Sequence, residues 1–133
     1  MATRFENNQV IPECSVLPTA LCLGRDHPRD RFIARIIPDH QESWQVIGHC
    51  RDCGQMWLVE EPDTRSGGLA IKIPDLAAWT AADERAARIG YLRRLRGGDA
   101  PSGQCMVAGC DRRPLAGIAY CAEHDFEFHG TQC

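Results

Sequence analysis

Apolar and polar residues alternate through the middle of the chain and then shift to helical spacing. In 44–50 (WQVIGHC), Trp44, Val46 and Gly48 alternate with Gln45, Ile47 and His49, the two-residue period of a strand with one covered face. The run 55–61 (QMWLVEE) is strand-like as well, and the tight CRDCG element separates the two. Upstream, 31–37 (RFIARII) is rich in β-branched residues and is followed by Pro38 and the turn-forming PDHQES, so it predicts a further strand. These three strands form an antiparallel meander. A fourth run, 68–74 (GLAIKIP), alternates Leu69, Ile71 and Ile73 with Ala70 and Lys72. It predicts an edge strand stopped by Pro74. Trp44, Met56, Trp57 and Trp79 are read as core.

From Asp75 onward the period changes. DLAAW predicts a short helical turn with Asp75 as its cap, and Thr80 to Asp83 a second cap, with Asp83 in the place of the usual Glu. Ala82, Ala86, Ile89, Leu92 and Leu95 then recur every three or four positions, the stripe of one amphipathic helix. Gly97-Gly98 ends it, and 97–103 (GGDAPSG) is a linker by composition. Residues 1–30 are broken by Pro12, Pro18 and Pro28 and predict irregular structure. The expected organisation is a 1–98 α+β domain and a 99–133 module, packed as one unit.

Composition narrows the function. The chain has 133 residues and a formal charge of −3, so its overall field does not favour polyanions. No apolar run approaches membrane-spanning length, and the N-terminal residues lack the apolar core of a signal peptide. The expected location is the cytoplasm. There, eight cysteines are poorly explained by disulfides and point to metal.

Four of the candidate ligands lie in CMVAGCDRRPLAGIAYCAEH. Cys105, Cys110, Cys121 and His124 follow the spacing C-x4-C-x10-C-x2-H. Zinc takes four ligands in a tetrahedron, with thiolate and imidazole as favoured donors. Each pair is close enough in sequence to grip the ion from one local turn, and the Cys121–His124 spacing suits a helix start. Four protein ligands close the site, whereas catalytic zinc keeps a position for water. A second centre is expected at Cys50 and Cys53, a C-x2-C-G knuckle, completed by Cys14 and Cys22; His27 and His49 compete for places in it. His129 and Cys133 are left as a surface imidazole and a terminal thiol. The cofactor expected is therefore zinc, as two structural ions. The fold expected is α+β: a small antiparallel sheet with one main helix and a C-terminal zinc-finger-like module, stabilised by structural zinc.

No G-x-S-x-G, phosphate loop or H-E-x-x-H is present, and a non-enzymatic protein is expected. Arg85, Arg88, Arg93, Arg94, Arg96, Arg112 and Arg113 could form a basic surface for phosphates, or a solvated helix face balanced by pairs such as Glu84–Arg88. Acidic residues cluster at Glu60, Glu61 and Asp63, and at Glu123, Asp125 and Glu127. They could present an acidic face to a basic partner.

The 105–124 segment resembles a small zinc motif, C-x4-C…G-x-x-Y/L-C-x-x-H, that accompanies some phage and bacterial HNH nucleases and DNA-binding proteins. In those proteins a basic tail often follows the histidine; here Asp125-Phe126-Glu127-Phe128 follows, and no HNH core is present. The wider arrangement, WQVIGHCRDCGQMWLV then GLAIKIPDLAAW then the C-terminal finger, resembles small bacterial immunity proteins encoded beside polymorphic toxins. That resemblance implies a compact cytoplasmic protein that neutralises one toxin by protein–protein binding. The alternative is a nucleic-acid-binding or regulatory zinc-finger protein.

Overall fold

Strand alternation builds the first part of the chain. In this computed structural model, which describes residues 4–6, 9–11, 13–62, 67–131 and 133, a short antiparallel pair joins β1 (Arg4–Glu6) to β2 (Gln9–Ile11). A five-stranded antiparallel sheet then contains β3 (Ala20–Cys22), β4 (Ile36–Gln41), β5 (Gln45–Cys50), β6 (Met56–Glu60) and β7 (Leu69–Ile73), in the order β3-β7-β6-β5-β4. Gly48 pairs with Trp57, which pairs in turn with Lys72, so these three residues share one face. On that face Leu21, Leu23, Trp57, Val59 and Ala70 gather with Cys14, Phe32, Ile36 and Cys50 in one buried cluster. The opposite face carries the alternate residues, among them Cys22, Leu58, Leu69 and Ile71.

The meander of 36–60 is present, and two expectations change. The run 31–37 is not one strand: Arg29–Ala34 forms a short helix, α1, directly after Pro28, and the strand starts only at Ile36. Pro28 presets a helical φ, and Phe32 is drawn into the sheet cluster, its ring edge-on to Trp57 at 5.0 Å. This tertiary anchor outweighs the β-branched bias of Ile33, while Ile36 and Ile37 enter β4. β7 is not an edge. β3, from the segment read as irregular, pairs along it and leaves Leu69, Ala70, Ile71 and Ile73 buried. Lys72, the chain's lone lysine, donates from Nζ to the Leu17 carbonyl at 2.6 Å and lies 5.8 Å from the Trp57 ring centroid.

Trp57 is fully buried, as expected, but Trp44 is 79% exposed. It sits in the β4–β5 turn, outside the paired strand, where its carbonyl accepts from the Glu61 amide. Met56 and Trp79 are half-buried. Gly48 lies beneath β4: a Cβ there would meet the Ile37 carbonyl oxygen at 2.5 Å and Ile36 Cγ2 at 2.7 Å.

The chain divides into two compact units, one of Met1–Trp79 with Cys133 and one of Thr80–Gln132. The expected boundary at 98/99 therefore falls inside the second unit. There the stretch read as a linker is fastened: Asp99 bridges Leu115, Ala100 donates to Pro114, and Ala116 donates to Gly98. The main helix, α2 (Ala81–Arg96), opens with a capping box: the Asp83 amide donates to Thr80 Oγ1 at 3.2 Å and the Thr80 amide to Asp83 Oδ2 at 3.0 Å. Gly97, at φ 83°, closes it in the left-handed region that glycine accepts without cost. Its buried residues are Tyr91 and Leu92, while Ala82 and Ala86 are exposed. A second helix, α3 (Ala122–His129), packs against α2. Asp63 and Pro12 lie outside the described residues. No helix among the described residues is long and apolar enough to cross a membrane.

Candidate metal centres

Two local turns assemble the C-terminal group. The 105–110 turn is closed by the Cys110 amide donating to the Val107 carbonyl at 3.1 Å, with Gly109 at φ 83°. The Cys105 amide donates to Arg112 and the Met106 amide to Ala119. Cys121 is the N-cap of α3, which puts His124 on the same first turn. The Sγ atoms of Cys105, Cys110 and Cys121 and one ring nitrogen of His124 all lie within 4.8 Å of one another. His124 Nδ1 is 3.4 Å from Cys105 Sγ and 3.3 Å from Cys121 Sγ, and the Cys110 and Cys121 sulfurs are 4.0 Å apart. A zinc tetrahedron with its usual bond lengths has ligand–ligand edges of about 3.5–3.8 Å. The four donors fit it, and the expected set is complete.

Electrostatics point the same way. Burial opposes the Cys105 thiolate, but the amides of Cys121 and Val107 and the His124 imidazole outweigh it and bring the thiol down to about 6. For Cys110 the Arg112 amide favours the thiolate, yet burial and the adjoining Cys105 and Cys121 sulfurs leave the thiol raised. Sulfurs this close cannot all ionise without a cation among them. Arg112 adds positive charge: the Glu123 carboxylate, then the Cys121 sulfur, hold its guanidinium above the ordinary value. The His124 ring stacks on Phe128, with centroids 6.1 Å apart. His129 stands apart from the ligands and pairs with the buried Asp125 at 2.9 Å.

The first unit brings three of its four expected ligands together. Cys50 ends β5, and the Gly54 amide returns to its carbonyl at 2.8 Å, with Gly54 at φ 80° after Cys53. Cys14 opens a short helical turn, Cys14–Val16. The sulfurs of Cys14, Cys50 and Cys53 all lie within 4.8 Å of one another. Cys22 does not join them. Its neighbours Leu21 and Leu23 face the cluster that holds Cys14, so strand alternation turns Cys22 to the other side of the sheet. There it forms a disulfide with Cys133, the residue expected to be a free thiol, with Cα atoms 5.7 Å apart. His49 also faces away from Cys50 on β5 and pairs with Asp39 at 2.8 Å. His27 is buried against the edge of Phe32, with Nδ1 3.1 Å from the Pro28 carbonyl.

Two residues outside the ligand reading complete this site. Trp57 Nε1 donates to Cys14 Sγ at 3.4 Å, and Arg35 Nη1 lies 3.9 Å from the same sulfur. Burial pushes the Cys14 thiol up to about 11, with the Cys50 and Cys53 sulfurs adding to it and the Trp57 N–H opposing. Burial also works against the Cys50 thiolate, but the Asp52 and Cys53 amides prevail and its thiol falls below the ordinary value. No spacing rule marks Arg35 or Trp57, since both reach Cys14 only through the folded sheet.

Both groups can hold a metal ion, and their donors are those of zinc-class sites. Four arginines of the second unit are matched by carboxylates. Arg85 pairs with Glu127 at 3.0 Å, Arg88 with Glu84 at 2.9 Å, Arg93 with Asp99 at 3.5 Å, and Arg112 with Glu123. No protein-family model, curated protein or solved structure matches the chain.

Proposed function

We propose that this is a zinc-stabilised, non-enzymatic protein that acts by binding another protein, and that its partner is a toxin it neutralises. The observation that carries the reading is Trp44, a large aromatic left 79% exposed on the β4–β5 turn. Exposed aromatics of this kind anchor protein interfaces, because they bury much apolar area at small entropic cost. The first unit also has a cavity of about 540 Å³ lined by Ile33, Ile36, Pro38, Val46 and Val59, with Arg29, Asp30 and Glu61 also on its walls. Such a groove suits a protein segment of mixed chemistry.

The ion pairs of the second unit weigh against the nucleic-acid alternative. Arg85, Arg88, Arg93 and Arg112 each already face a carboxylate, so phosphate would have to displace it. The metal centres act here as folding devices. A structural zinc is worth roughly 10–16 kcal/mol in finger peptides, which matches or exceeds the whole net stability of a typical domain, about 5–15 kcal/mol.

The test is calorimetric titration against the product of the adjacent gene. Tight binding that Trp44→Ala weakens by roughly 30-fold or more, the effect of an interface anchor, supports the reading. An adjacent product with no toxic activity and no binding sinks the toxin assignment. Submicromolar duplex-DNA binding with a steep salt slope, lost in Arg93→Ala with Arg94→Ala, would favour the alternative.

A further inference from the structure

We propose that the Cys14–Cys50–Cys53 centre holds its metal through three protein thiolates and takes its fourth ligand from outside the chain, a soft monodentate donor of the thiolate or imidazole class. This rests on the reading of that group as a metal site and gives it a ligand-exchange role that a purely structural knuckle lacks.

The cysteines and histidines of the chain are all among the described residues, and each has a place. Cys22 is bonded to Cys133 on the far side of the sheet. Cys105, Cys110, Cys121 and His124 form the other centre. His27 sits against Phe32 and the Pro28 carbonyl, and His40 pairs with Glu42. His49 pairs with Asp39, and His129 with Asp125. Among the described residues, no carboxylate joins the three sulfurs either. The groups beside Cys14 are an indole N–H and a guanidinium, which donate hydrogen bonds and cannot ligate a cation.

A zinc-class ion needs four donors, and three protein ligands leave one position for water or an incoming group. The site is reachable: Cys14 and Cys50 are buried, but Cys53 is exposed at the tip of the knuckle. Charge favours a neutral donor such as imidazole, and a thiolate guest depends on a neighbouring cation. Three thiolates around a divalent ion leave one net negative charge, and a fourth thiolate makes two. The Arg35 guanidinium, 3.9 Å from Cys14 Sγ, offsets part of that excess in a poorly hydrated setting. The C-terminal centre, closed by His124, has no such position. In the exchange a bound water leaves, a thiol sulfur bonds to the metal, and the thiol proton goes to solvent. No electron is transferred.

The experiment loads the full-length protein with cobalt(II) in place of zinc and titrates it with imidazole, then with a simple monothiol. The expected result is about two cobalt ions per chain. The visible spectrum of one ion should shift saturably with one guest per chain, and the thiol should release one proton. Cys53→Ser should abolish the shift and leave the second ion's spectrum in place. Cys22→Ser should leave the shift unchanged, with Cys133→Ser as the control for breaking the same pairing. Two bound ions with no change at saturating guest overturn the open position while leaving the metal reading standing. Loss of one ion in Cys22→Ser but not in Cys133→Ser overturns it as well, by naming Cys22 as the fourth ligand. Only one bound ion in the wild type, retained in Cys53→Ser, overturns the metal reading of this site and the proposal with it.

Discussion

Replacing Cys110 with serine isolates what the C-terminal centre contributes. The large apolar side chains buried in the second unit, cysteines aside, are Tyr91, Leu92 and Leu115. Full burial of such a side chain contributes about 1.5–3 kcal/mol, so the three supply about 5–9 kcal/mol against the ordering entropy of the whole unit. A four-coordinate zinc supplies about 10–16 kcal/mol. On the proposed reading a zinc there would stabilise the unit more than its apolar packing does, and breaking the tetrahedron would leave too little to hold the 105–121 loops against α3. Metal analysis of Cys110→Ser should fall from about two ions per chain to about one. Amide NMR should show the signals of 99–131 collapsing toward the unfolded range while those of 45–60 stay dispersed. If the variant keeps both ions, Cys110 is not a ligand. If it loses one ion and keeps the 99–131 signals dispersed, the apolar packing suffices and the metal is not what holds the unit together.

Gly48→Ala should cost about 1–3 kcal/mol in urea unfolding, because the added methyl overpacks against the β4 backbone; an unchanged midpoint would show that β4 yields. Thr80→Ala should lose about 1 kcal/mol and the helical signal of the first turn of α2, since it removes the oxygen that accepts from the Asp83 amide. Burial holds His27 below the ordinary value of 6.5. The unfolded chain then binds more protons than the folded one below that pH, so the contribution is full above 6.5 and falls as the solution is acidified. His27→Gln should flatten the acid side of the stability–pH curve relative to the wild type, and parallel curves would refute this.

The strand at 45–50 was legible because it has one buried face and one less buried face, and alternation records that difference, while 56–60 was legible as a short apolar run buried on both faces. The helix caps at Thr80 and Gly97 were legible because capping is local chemistry. What the sequence hid was set by distant partners. Phe32 is part of a helix because Trp57, well downstream, receives it. β7 is interior because β3 pairs with it across a long loop. The stripe Ala82–Ala86–Ile89–Leu92–Leu95 named the right helix but only part of its buried side: Tyr91 is buried and the two alanines are not. The C-terminal grouping of three cysteines and a histidine was readable because its members sit in two short turns. In the first centre, Cys50 and Cys53 share one turn and were equally plain. Cys14 and Cys22 differ only in which face of a sheet they reach, and spacing does not encode that.

One of the two edge strands of the sheet, β4, has a consequence for how copies of this protein meet one another. A bare strand edge is a template on which a second molecule can add its own strand. Here Pro38 has no N–H to offer, and the pairing register slips between Pro38 and His40. Asp39 and His40 also place polar side chains on that edge. The rim is thus interrupted where a continuous one would invite sheet growth between molecules, and the same residues that irregularly end the meander disfavour strand addition along this edge.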